Sequence, residues 1–416
     1  DLGFRYVGPI DGHDLKALTE SFKAVKDLDG PTLMHVITRK GKGYEQAEEK
    51  ADAWHGVKPF NVSTGEFHKK KANPAYTNVF ADALIQLAKE DEKVIGITAA
   101  MPDGTGISKF GKEFPYRTFD VGMAEQHGVA FAGALSIEGF RPVAAIYSTF
   151  LQRAYDQIVH DICLMDLPVT FAMDRAGIVG EDGATHQGLY DIAFLRTLPN
   201  MVVMAPKDEN ELRHMLKTAV YHTGPAALRY PRGSGLGVPL DPEMKQLEIG
   251  KGEVVQDGTD IAIIAYGHTV DWAQQVADKF EKQGVSVAVI NARFAKPVDK
   301  ELIVKYALKT RCMITTEEHS LMGGFGSAVL EALQEEEIFN TRIKCIGLGD
   351  IVLEHGAATL QRKILKLDPE GMFETIMTFY GAVAEMEASG NGKKLHSGNG
   401  KNGKKEDTKI KQPLNG

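Results

Sequence analysis

Cysteine is scarce in this sequence, which has only three in 416 residues, at positions 163, 312 and 345. These are too few and too widely spaced for a disulfide framework or a zinc site, so a reducing compartment is the expectation. The sequence also lacks a run of about 18 apolar residues, which argues against a membrane-spanning helix. Positive charge is not in excess, because the formal net charge is −8, and this argues against nucleic acid or an anionic membrane as partner.

The start of the sequence has neither a methionine nor a signal-like segment. It opens with Phe-Arg-Tyr-Val-Gly-Pro-Ile-Asp-Gly-His at 4–13, a pattern typical of the middle of a folded domain. We therefore expect a preceding part that this sequence does not contain. Apolar residues make up 43% of the composition, which suffices for two or three ordinary cores.

The sequence divides into five segments, at 1–45, 46–74, 75–240, 250–387 and 388–416. The first has a predicted helix, Leu15 to Lys26, and a predicted strand, Thr32 to Thr38, and fits the last α/β unit of a larger domain. The second is polar and rich in lysine, and we interpret it as a linker. The last is dominated by Gly, Asn, Ser and Lys and is predicted to be disordered, because it has almost no apolar side chains to bury.

Short apolar strands alternate with helices in the two long segments. In the first of them, strands are predicted at 93–98, 142–147, 168–173, 201–205 and 226–230, and helices at 77–89, 124–137, 150–163 and 208–221. In the second, strands are predicted at 260–266, 286–290, 312–316 and 342–346, and helices at 270–283, 324–334 and 357–365. This alternation predicts an α/β fold with parallel sheets that helices cover on both faces.

Glu125 has unusual surroundings for an acid. It follows a β-type run, Arg117 to Asp120, and opens a nearly uncharged helix rich in Ala and Gly. A carboxylate at that place should be partly desolvated, which favours a neutral state that shares a proton. Two interpretations are open. The acid could simply face the helix dipole, or it could support thiamine diphosphate, whose aminopyrimidine ring needs a carboxyl group beside N1′.

Ligand sites in open α/β sheets form beyond the carboxyl ends of the strands. Three predicted strands are followed there by an arginine: Arg153, Arg175 and Arg232. Guanidinium groups bind phosphate through paired donors, so three of them on one rim suggest a phosphorylated substrate. Alternatively, each arginine pairs with a nearby acid, and the candidates are Asp156, Asp174 and Asp182.

Other residues near these strand ends allow a functional and a structural interpretation. Phe150 could stack on a flat heteroaromatic ring or belong to the core. Asp182 and His186 could orient a substrate hydroxyl or relay a proton, and no third ligand lies close enough in sequence for a metal site. His55, in the polar segment, is either functional or a free surface histidine. Lys40, in a loop with several glycines, lies either in a solvated turn or near a diphosphate.

Five motifs together resemble one family. They are Ala-Glu-Gln-His at 124–127, Ile-Tyr-Ser-Thr-Phe-Leu-Gln-Arg-Ala-Tyr-Asp-Gln at 146–157, Asp-Arg-Ala-Gly-Ile-Val-Gly at 174–180, Thr-His-Gln-Gly at 185–188 and Tyr-Pro-Arg-Gly at 230–233. The family is that of 1-deoxy-D-xylulose-5-phosphate synthase, and the resemblance extends from the first residue to about position 387. The first and fourth motifs also resemble transketolase, whereas the second and third select the synthase.

The resemblance implies a transketolase-like thiamine diphosphate enzyme that joins pyruvate to D-glyceraldehyde 3-phosphate with loss of CO2. The product, 1-deoxy-D-xylulose 5-phosphate, is a precursor of isoprenoids, thiamine and pyridoxal. Also implied are a pyrimidine-binding domain at 75–240, a transketolase-like C-terminal domain at 250–387 and a homodimer. The implied location is the cytoplasm, or a plastid if the source is a plant or an alga.

The resemblance also implies roles for individual residues. Glu125 would activate the cofactor and Phe150 would stack on its aminopyrimidine ring, while Lys40 and His55 would lie over the thiazolium side. The residues implied to bind the triose phosphate are Tyr147, Arg175 and Arg232, with Arg153 nearby, and those implied to contact its hydroxyl and carbonyl groups are Asp182 and His186. The catalytic groups among all of these would be Glu125, His186 and His55.

One feature of the family is missing from the sequence. Its members hold the diphosphate through Mg2+, using a Gly-Asp-Gly followed later by an Asn, and this sequence has no such pair. We therefore expect the Mg2+ ligands in a preceding domain and little turnover by this sequence alone. The alternatives are a transketolase, a β-type subunit of a 2-oxo acid dehydrogenase that needs an α partner, or a non-catalytic dimerising fragment.

Overall fold

The computed structural model describes residues 3–50, 54, 57, 59–67 and 73–389. The chain divides into two units, Asp1–Ala72 and Asn73–Gly416. Of the tail predicted to be disordered, everything from position 390 onwards lies outside the described residues. Within the described ranges, no helix has both the length and the apolar character needed to cross a membrane.

The first unit contains a β-α-β motif. Strand β1 (Arg5–Asp11) pairs in parallel with β2 (Thr32–Ile37), and helix α1 (Leu15–Val25) connects them. The carboxylate of Asp14 caps α1 by accepting hydrogen bonds from two amides of its first turn, each 3.0 Å long. The predictions of α1 and β2 are confirmed. Strand β1 was not predicted, because a Gly-Pro pair interrupts its apolar pattern.

The segment interpreted as a linker contains regular structure where it is described. Helix α2 (Glu45–Glu49) begins at the last residue of the preceding segment and continues into it. Beside it a cluster of aromatic rings has neighbouring centroids 4.6–6.2 Å apart, and its members are Tyr44, Trp54, Phe60 and Phe67. Rings at such distances gain from edge contacts as well as from burial. The polar composition of the segment gave no indication of this cluster.

The second unit has two sheets among its described residues. Its strands are β3 (Val94–Thr98), β4 (Thr118–Asp120), β5 (Arg141–Tyr147), β6 (Thr170–Asp174), β7 (Val202–Met204), β8 (Ala226–Arg229), β9 (Glu253–Gln256), β10 (Ile261–Ala265), β11 (Val287–Asn291), β12 (Phe294–Lys296), β13 (Cys312–Ser320) and β14 (Ile343–Leu348). The first sheet has the order β12-β7-β8-β6-β5-β3-β4 and the second β14-β13-β10-β11-β9. All neighbours are parallel except the two edge pairs β12–β7 and β9–β11.

Helices cover both faces of these sheets. They are α3 (Tyr76–Glu90), α4 (Pro102–Thr105), α5 (Ile107–Glu113), α6 (Glu125–Ile137), α7 (Ser148–Leu151), α8 (Tyr155–Gln157), α9 (Asp191–Arg196), α10 (Glu209–Val220), α11 (Thr269–Glu281), α12 (Lys300–Lys309), α13 (Phe325–Glu335), α14 (Ala358–Ile364) and α15 (Pro369–Ala388). The central strands β5, β6 and β10 are almost wholly buried, as expected for parallel strands covered on both sides. The predicted α/β class is confirmed.

In the second unit one predicted helix differs from the structure, and several elements, strand β12 among them, were not predicted. The predicted helix at 150–163 is a series of short turns, and it ends in wide turns in which the amide of Leu164 bonds to Val159 O. Strand β12 lies in the later α/β segment of the chain but completes the first sheet, where Phe294 pairs with Met204. Three residues are too few for a periodic signal, so the sequence did not reveal this strand.

Candidate active site

The candidate residues of the second unit lie beyond the carboxyl ends of parallel strands. Strand β4 leads to Glu125, β5 ends at Tyr147, β6 leads to Arg175 and β8 leads to Arg232. Because β4, β3, β5, β6 and β8 are neighbours that run in the same direction, their ends share one edge of the first sheet. Ring contacts and ion pairs involve each of these side chains along this edge.

Glu125 begins helix α6 and is buried, only 5% exposed. Its Oε2 lies 3.3 Å from Nη1 of Arg153, whose side chain is 58% exposed. The free amides of the first helical turn add positive potential around the acid. A cavity of about 540 Å3 opens beside it, lined by Ala99, Ala100, Met101, Met123, Glu125, Thr149, Phe150, Gln152 and Arg153.

Aromatic rings lie next to this cavity, beginning with Phe150, which lines it. Phe150 stacks on Tyr147 with centroids 5.5 Å apart and meets His186 edge to face at 5.2 Å. Burial raises the pKa of Tyr147 to about 12, so its hydroxyl stays protonated and can donate a hydrogen bond. Gly104 makes room for that hydroxyl, since a Cβ there would lie 1.9 Å from Tyr147 Oη.

Arg175 is paired with an acid. Its Nη1 donates to Asp174 Oδ1 at 2.9 Å and also to the backbone oxygen of Gly104, and its guanidinium lies 4.2 Å from the centre of the Tyr147 ring. Asp174 is fully buried, and this burial raises its pKa although Arg175 acts in the opposite direction. Arg175 has a φ of 59°, a left-handed conformation that is uncommon outside glycine. Its Nε is buried and has no hydrogen-bond partner among the described residues.

Arg232 also contacts acids, but on the surface. Its Nη1 donates to Glu181 Oε2 at 2.8 Å and to Val179 O at 2.9 Å, and its Nε lies 3.4 Å from Asp182 Oδ2. The arginine side chain is 38% exposed. Ion pairs between exposed groups are weak, so a dianionic ligand could compete for this guanidinium. The alternative interpretation, pairing with a nearby acid, therefore describes Arg175 and Arg232, while Arg153 pairs with Glu125 instead of Asp156.

Two residues implied by the resemblance do not belong to this part of the chain. Lys40 lies in the first unit, in a turn that the hydrogen bond from the amide of Lys42 to Arg39 O closes at 3.2 Å. His55 lies outside the described residues. The roles of both residues stay predictions.

Several residues that stabilise this site were not recognised from the sequence. Asp174 was predicted only as a partner for an arginine, although the sequence offers a signal: a lone charge at the end of the apolar strand β6. No role was predicted for Gly104 or for Glu318, which is 1% exposed on β13 and accepts a hydrogen bond from the amide of Ile178 at 3.0 Å. No local pattern could have identified the latter contact, because 140 positions separate its partners.

Three family models match this chain. Residues 72–236 match the transketolase pyrimidine-binding domain, and residues 250–372 match the transketolase C-terminal domain. Residues 1–38 match a model described as 1-deoxy-D-xylulose-5-phosphate synthase. The three matches together follow the order of the predicted segments along the chain.

Curated relatives agree with these matches. A 1-deoxy-D-xylulose-5-phosphate synthase 1 from Geobacter sulfurreducens is 56% identical over 382 residues, which cover 92% of this chain and 60% of the relative. A synthase from Heliobacterium modesticaldum is 54% identical over 363 residues, covering 87% of this chain and 56% of the relative. This chain belongs to the 1-deoxy-D-xylulose-5-phosphate synthase family. It spans 56–60% of the length of these two family members.

Solved structures of transketolases have a fold similar to that of this chain. A protein described as a split-gene transketolase, in an inactive β4 tetramer, aligns with a TM-score of 0.66 and 32% identity, covering 74% of this chain and 99% of the other. A transketolase from Pichia stipitis aligns with a TM-score of 0.59 at 21% identity, covering 76% of this chain and 47% of the other. The second likeness concerns the fold alone.

Proposed function

We propose that this chain carries the pyrimidine-facing and phosphate-binding part of a 1-deoxy-D-xylulose-5-phosphate synthase. The reaction is the condensation of pyruvate with D-glyceraldehyde 3-phosphate, with release of CO2. The observation that carries the proposal is the buried carboxyl group of Glu125, which lines a cavity together with Phe150 and Arg153. The family membership supports the choice of substrates.

The residues around the cavity fit thiamine diphosphate. A carboxyl group that is 5% exposed can share a proton with the pyrimidine nitrogen N1′, because water hardly competes for it. Phe150 offers a flat face for stacking on the aminopyrimidine ring. When bound, the cofactor supplies the nucleophilic carbon and the electron sink for decarboxylation.

Arg153 has a different role in this proposal from the other two arginines. Its side chain lines the cavity and its guanidinium contacts the Glu125 carboxylate, so it supplies a positive charge close to the place where pyruvate would react. We infer that it balances the charge of Glu125 and attracts the pyruvate carboxylate. This role suits a half-exposed side chain that can move between two anions.

The phosphorylated substrate would lie further along the same edge of the sheet. Arg232 is exposed enough to exchange its acidic partners for a phosphate, and Arg175 is fixed beside Tyr147, whose hydroxyl is a donor. Each charge-assisted hydrogen bond to phosphate contributes on the order of 1.5–3 kcal/mol. Asp182 and His186 follow on the loop between β6 and α9, where they would contact the hydroxyl and carbonyl groups of the triose.

The Mg2+ and diphosphate sites belong to another part of the enzyme in this proposal. Lys40 and His55 would act on the thiazolium side, together with an N-terminal part that this sequence does not contain. We propose that turnover needs this N-terminal part, supplied by the same polypeptide or by another one. The split-gene transketolase, 99% of whose chain aligns here, favours the second arrangement as an alternative. We also propose that the active assembly contains two copies of this chain.

The test is complementation. The 416-residue chain is mixed with thiamine diphosphate, Mg2+, pyruvate and D-glyceraldehyde 3-phosphate, with and without the N-terminal part of the Geobacter sulfurreducens relative, and product formation and CO2 release are measured. We expect little product from the chain alone and clear turnover, dependent on both substrates, from the mixture. Stable assembly without any product formation would contradict the proposed reaction and favour the non-catalytic, dimerising alternative.

A further inference from the structure

The loop between β6 and α9 is anchored at several points. We call residues 177–188 the acceptor loop, because it carries Asp182 and His186. Its two ends are joined by a pair of backbone hydrogen bonds between Gly177 and Gly188, 2.7 and 2.9 Å long. Between these ends the loop contains two short turns, one at Gly180–Asp182 and one closed by the hydrogen bond from the amide of His186 to Gly183 O at 3.0 Å, so contacts from outside the loop can also fix its conformation.

Glu318, on strand β13 of the second sheet, makes such a contact. Its Oε2 accepts a hydrogen bond from the amide of Ile178 at 3.0 Å. The neighbouring Gly177 has a φ of +81°, and a Cβ at that position would lie 2.3 Å from the same oxygen. The loop backbone therefore approaches the carboxylate so closely that only glycine fits at this point.

Two side chains, Arg362 and His268, lie against the Glu318 carboxylate. Arg362 donates to Oε1 at 2.6 Å and to Oε2 at 3.2 Å, and His268 Nε2 lies 3.2 Å from Oε2. Burial by itself would raise the pKa of Glu318, but His268 and Arg362 more than offset this, and the pKa lies well below its usual range. Arg362 also donates to Ile178 O at 3.4 Å. Glu318 and Arg362 together therefore bind both the backbone amide and the backbone oxygen of Ile178.

These hydrogen bonds lie close to the groups that would bind substrate. Val179, the next residue, offers its backbone oxygen to Arg232 at 2.9 Å, and its amide donates to the Gln187 side chain at 2.9 Å. Further along, the amide of Gly356 donates to Gly180 O at 3.3 Å. The second sheet and the residues after it thus contact the loop backbone. This backbone carries Asp182 and accepts a hydrogen bond from Arg232.

We propose that Glu318 is a positioning residue for the acceptor substrate: its buried carboxylate fixes the acceptor loop so that Asp182, His186 and Arg232 keep their mutual arrangement. The proposal rests on the proposed function for the identity of the acceptor. It gives the second sheet a role in substrate binding, although none of its strands reaches the cavity beside Glu125. Glu318 itself contacts no substrate.

The neighbouring Glu317 provides a matched control. It is equally buried on the same strand, but its carboxylate accepts from the amides of Phe325 and Gly326 at 2.6 and 2.7 Å, at the start of α13. Alternating side chains of a strand point to opposite faces, so the two acids serve different sides of the second sheet. A general loss of stability would follow from changing either residue, whereas a loss of loop order should follow only from changing Glu318.

The first experiment measures hydrogen exchange of backbone amides in the full 416-residue chain by mass spectrometry. We expect Glu318→Ala to accelerate exchange in peptides covering 177–188 by roughly tenfold or more, because the loop loses a main anchor. Glu318→Gln should cause a smaller increase, since the amide oxygen can still accept from Ile178, and it remains informative if the alanine variant does not fold. Glu317→Gln should leave loop exchange at the wild-type rate. Unchanged loop exchange in both Glu318 variants, or an equal rise in Glu317→Gln, would overturn the proposal.

The second experiment uses the chain complemented with the N-terminal part described above. We expect Glu318→Gln to raise KM for D-glyceraldehyde 3-phosphate several-fold while KM for pyruvate stays near its wild-type value, and Glu317→Gln to change neither. Equal KM values for the acceptor in wild type and Glu318→Gln would overturn the positioning role and leave the proposed function intact. If the wild type itself makes no product, the proposed function fails, and the exchange experiment alone decides whether Glu318 orders the loop.

Discussion

Arg153 Nη1 lies 3.3 Å from Glu125 Oε2, so an exposed cation meets the buried acid that begins helix α6. The sequence analysis had grouped Arg153 with two other arginines as a phosphate rim. The contact assigns it to the other end of the site, beside the cavity, while Arg175 and Arg232 stay with Tyr147 and the acceptor loop. The candidate site therefore has two parts along one sheet edge, one around Glu125 and Arg153 and one around Tyr147, Arg175 and Arg232.

Glu125 is expected to be indispensable for turnover. In the complemented enzyme, Glu125→Gln should lower kcat by about 10²–10⁴-fold, the usual range for losing a general acid–base group, because an amide cannot exchange a proton with the pyrimidine nitrogen. Steady-state rates of product formation are the measurement. Glu138→Gln, at the exposed far end of α6, is the control and should behave as wild type. A Glu125→Gln enzyme with wild-type kcat would remove Glu125 from the mechanism.

Arg232 is expected to act on the phosphorylated substrate alone. Arg232→Ala should raise KM for D-glyceraldehyde 3-phosphate by roughly 10- to 150-fold, which corresponds to the loss of one charge-assisted contact of about 1.5–3 kcal/mol. Cofactor affinity, measured by titration, should stay close to wild type. Arg342→Ala, which breaks a surface pair with Glu387, serves as the control and should alter neither quantity. An unchanged requirement for the acceptor in Arg232→Ala would refute the phosphate role.

Arg175 is expected to matter for stability as well as for substrate. Arg175→Ala would leave the fully buried Asp174 without its ion-pair partner, which typically costs about 3–5 kcal/mol. Chemical denaturation should show this loss. Adding Asp174→Asn should restore part of it, because the neutral amide no longer needs a counter-charge and can still accept the bond from Thr77. No recovery in the double variant would mean that the pair is not the source of the lost stability.

Glu317 and His319 are expected to influence pH stability in opposite directions. Burial raises the pKa of Glu317 to about 7, so the stability it contributes is complete below its unfolded pKa of 4.5 and is lost as pH rises through 7. Burial lowers the pKa of His319 to about 4, so its contribution is complete above 6.5 and is lost as pH falls towards 4. Between pH 4.5 and 6.5 the two effects therefore oppose each other in the wild-type chain.

Single substitutions should expose each effect. Relative to wild type, the free energy of unfolding of Glu317→Gln should increase as pH rises from 4.5 to 7, by a total on the order of 3 kcal/mol. Relative to wild type, that of His319→Gln should increase as pH falls from 6.5 to 4. Denaturation curves at several pH values measure both differences. Parallel pH profiles for Glu317→Gln and wild type would show that this carboxyl titrates alike in the folded and unfolded chain.

Much of the candidate site could be predicted because parallel strands present their carboxyl ends on the same edge. Tyr147 ends a strand that the apolar pattern revealed, Arg175 and Arg232 follow two others, and Glu125 follows the β-type run Arg117 to Asp120, so their convergence needed only the fold class. The pairing of Arg175 was open, since a sequence cannot decide between Asp174 and a ligand. Strand β12 escaped prediction because its three residues carry no periodicity and its partner β7 lies in another segment of the chain.

By itself, the sequence determined the alternation of strands and helices and the polar residues that follow each strand, since both depend on local patterns of apolar side chains. Only the tertiary structure decided which partner each charged group has: Arg153 beside Glu125, and Glu318 against the amide of Ile178, across 140 positions. A buried charge must find its counter-charge or hydrogen-bond partner wherever the packed elements bring one, and that place is a property of the assembled fold.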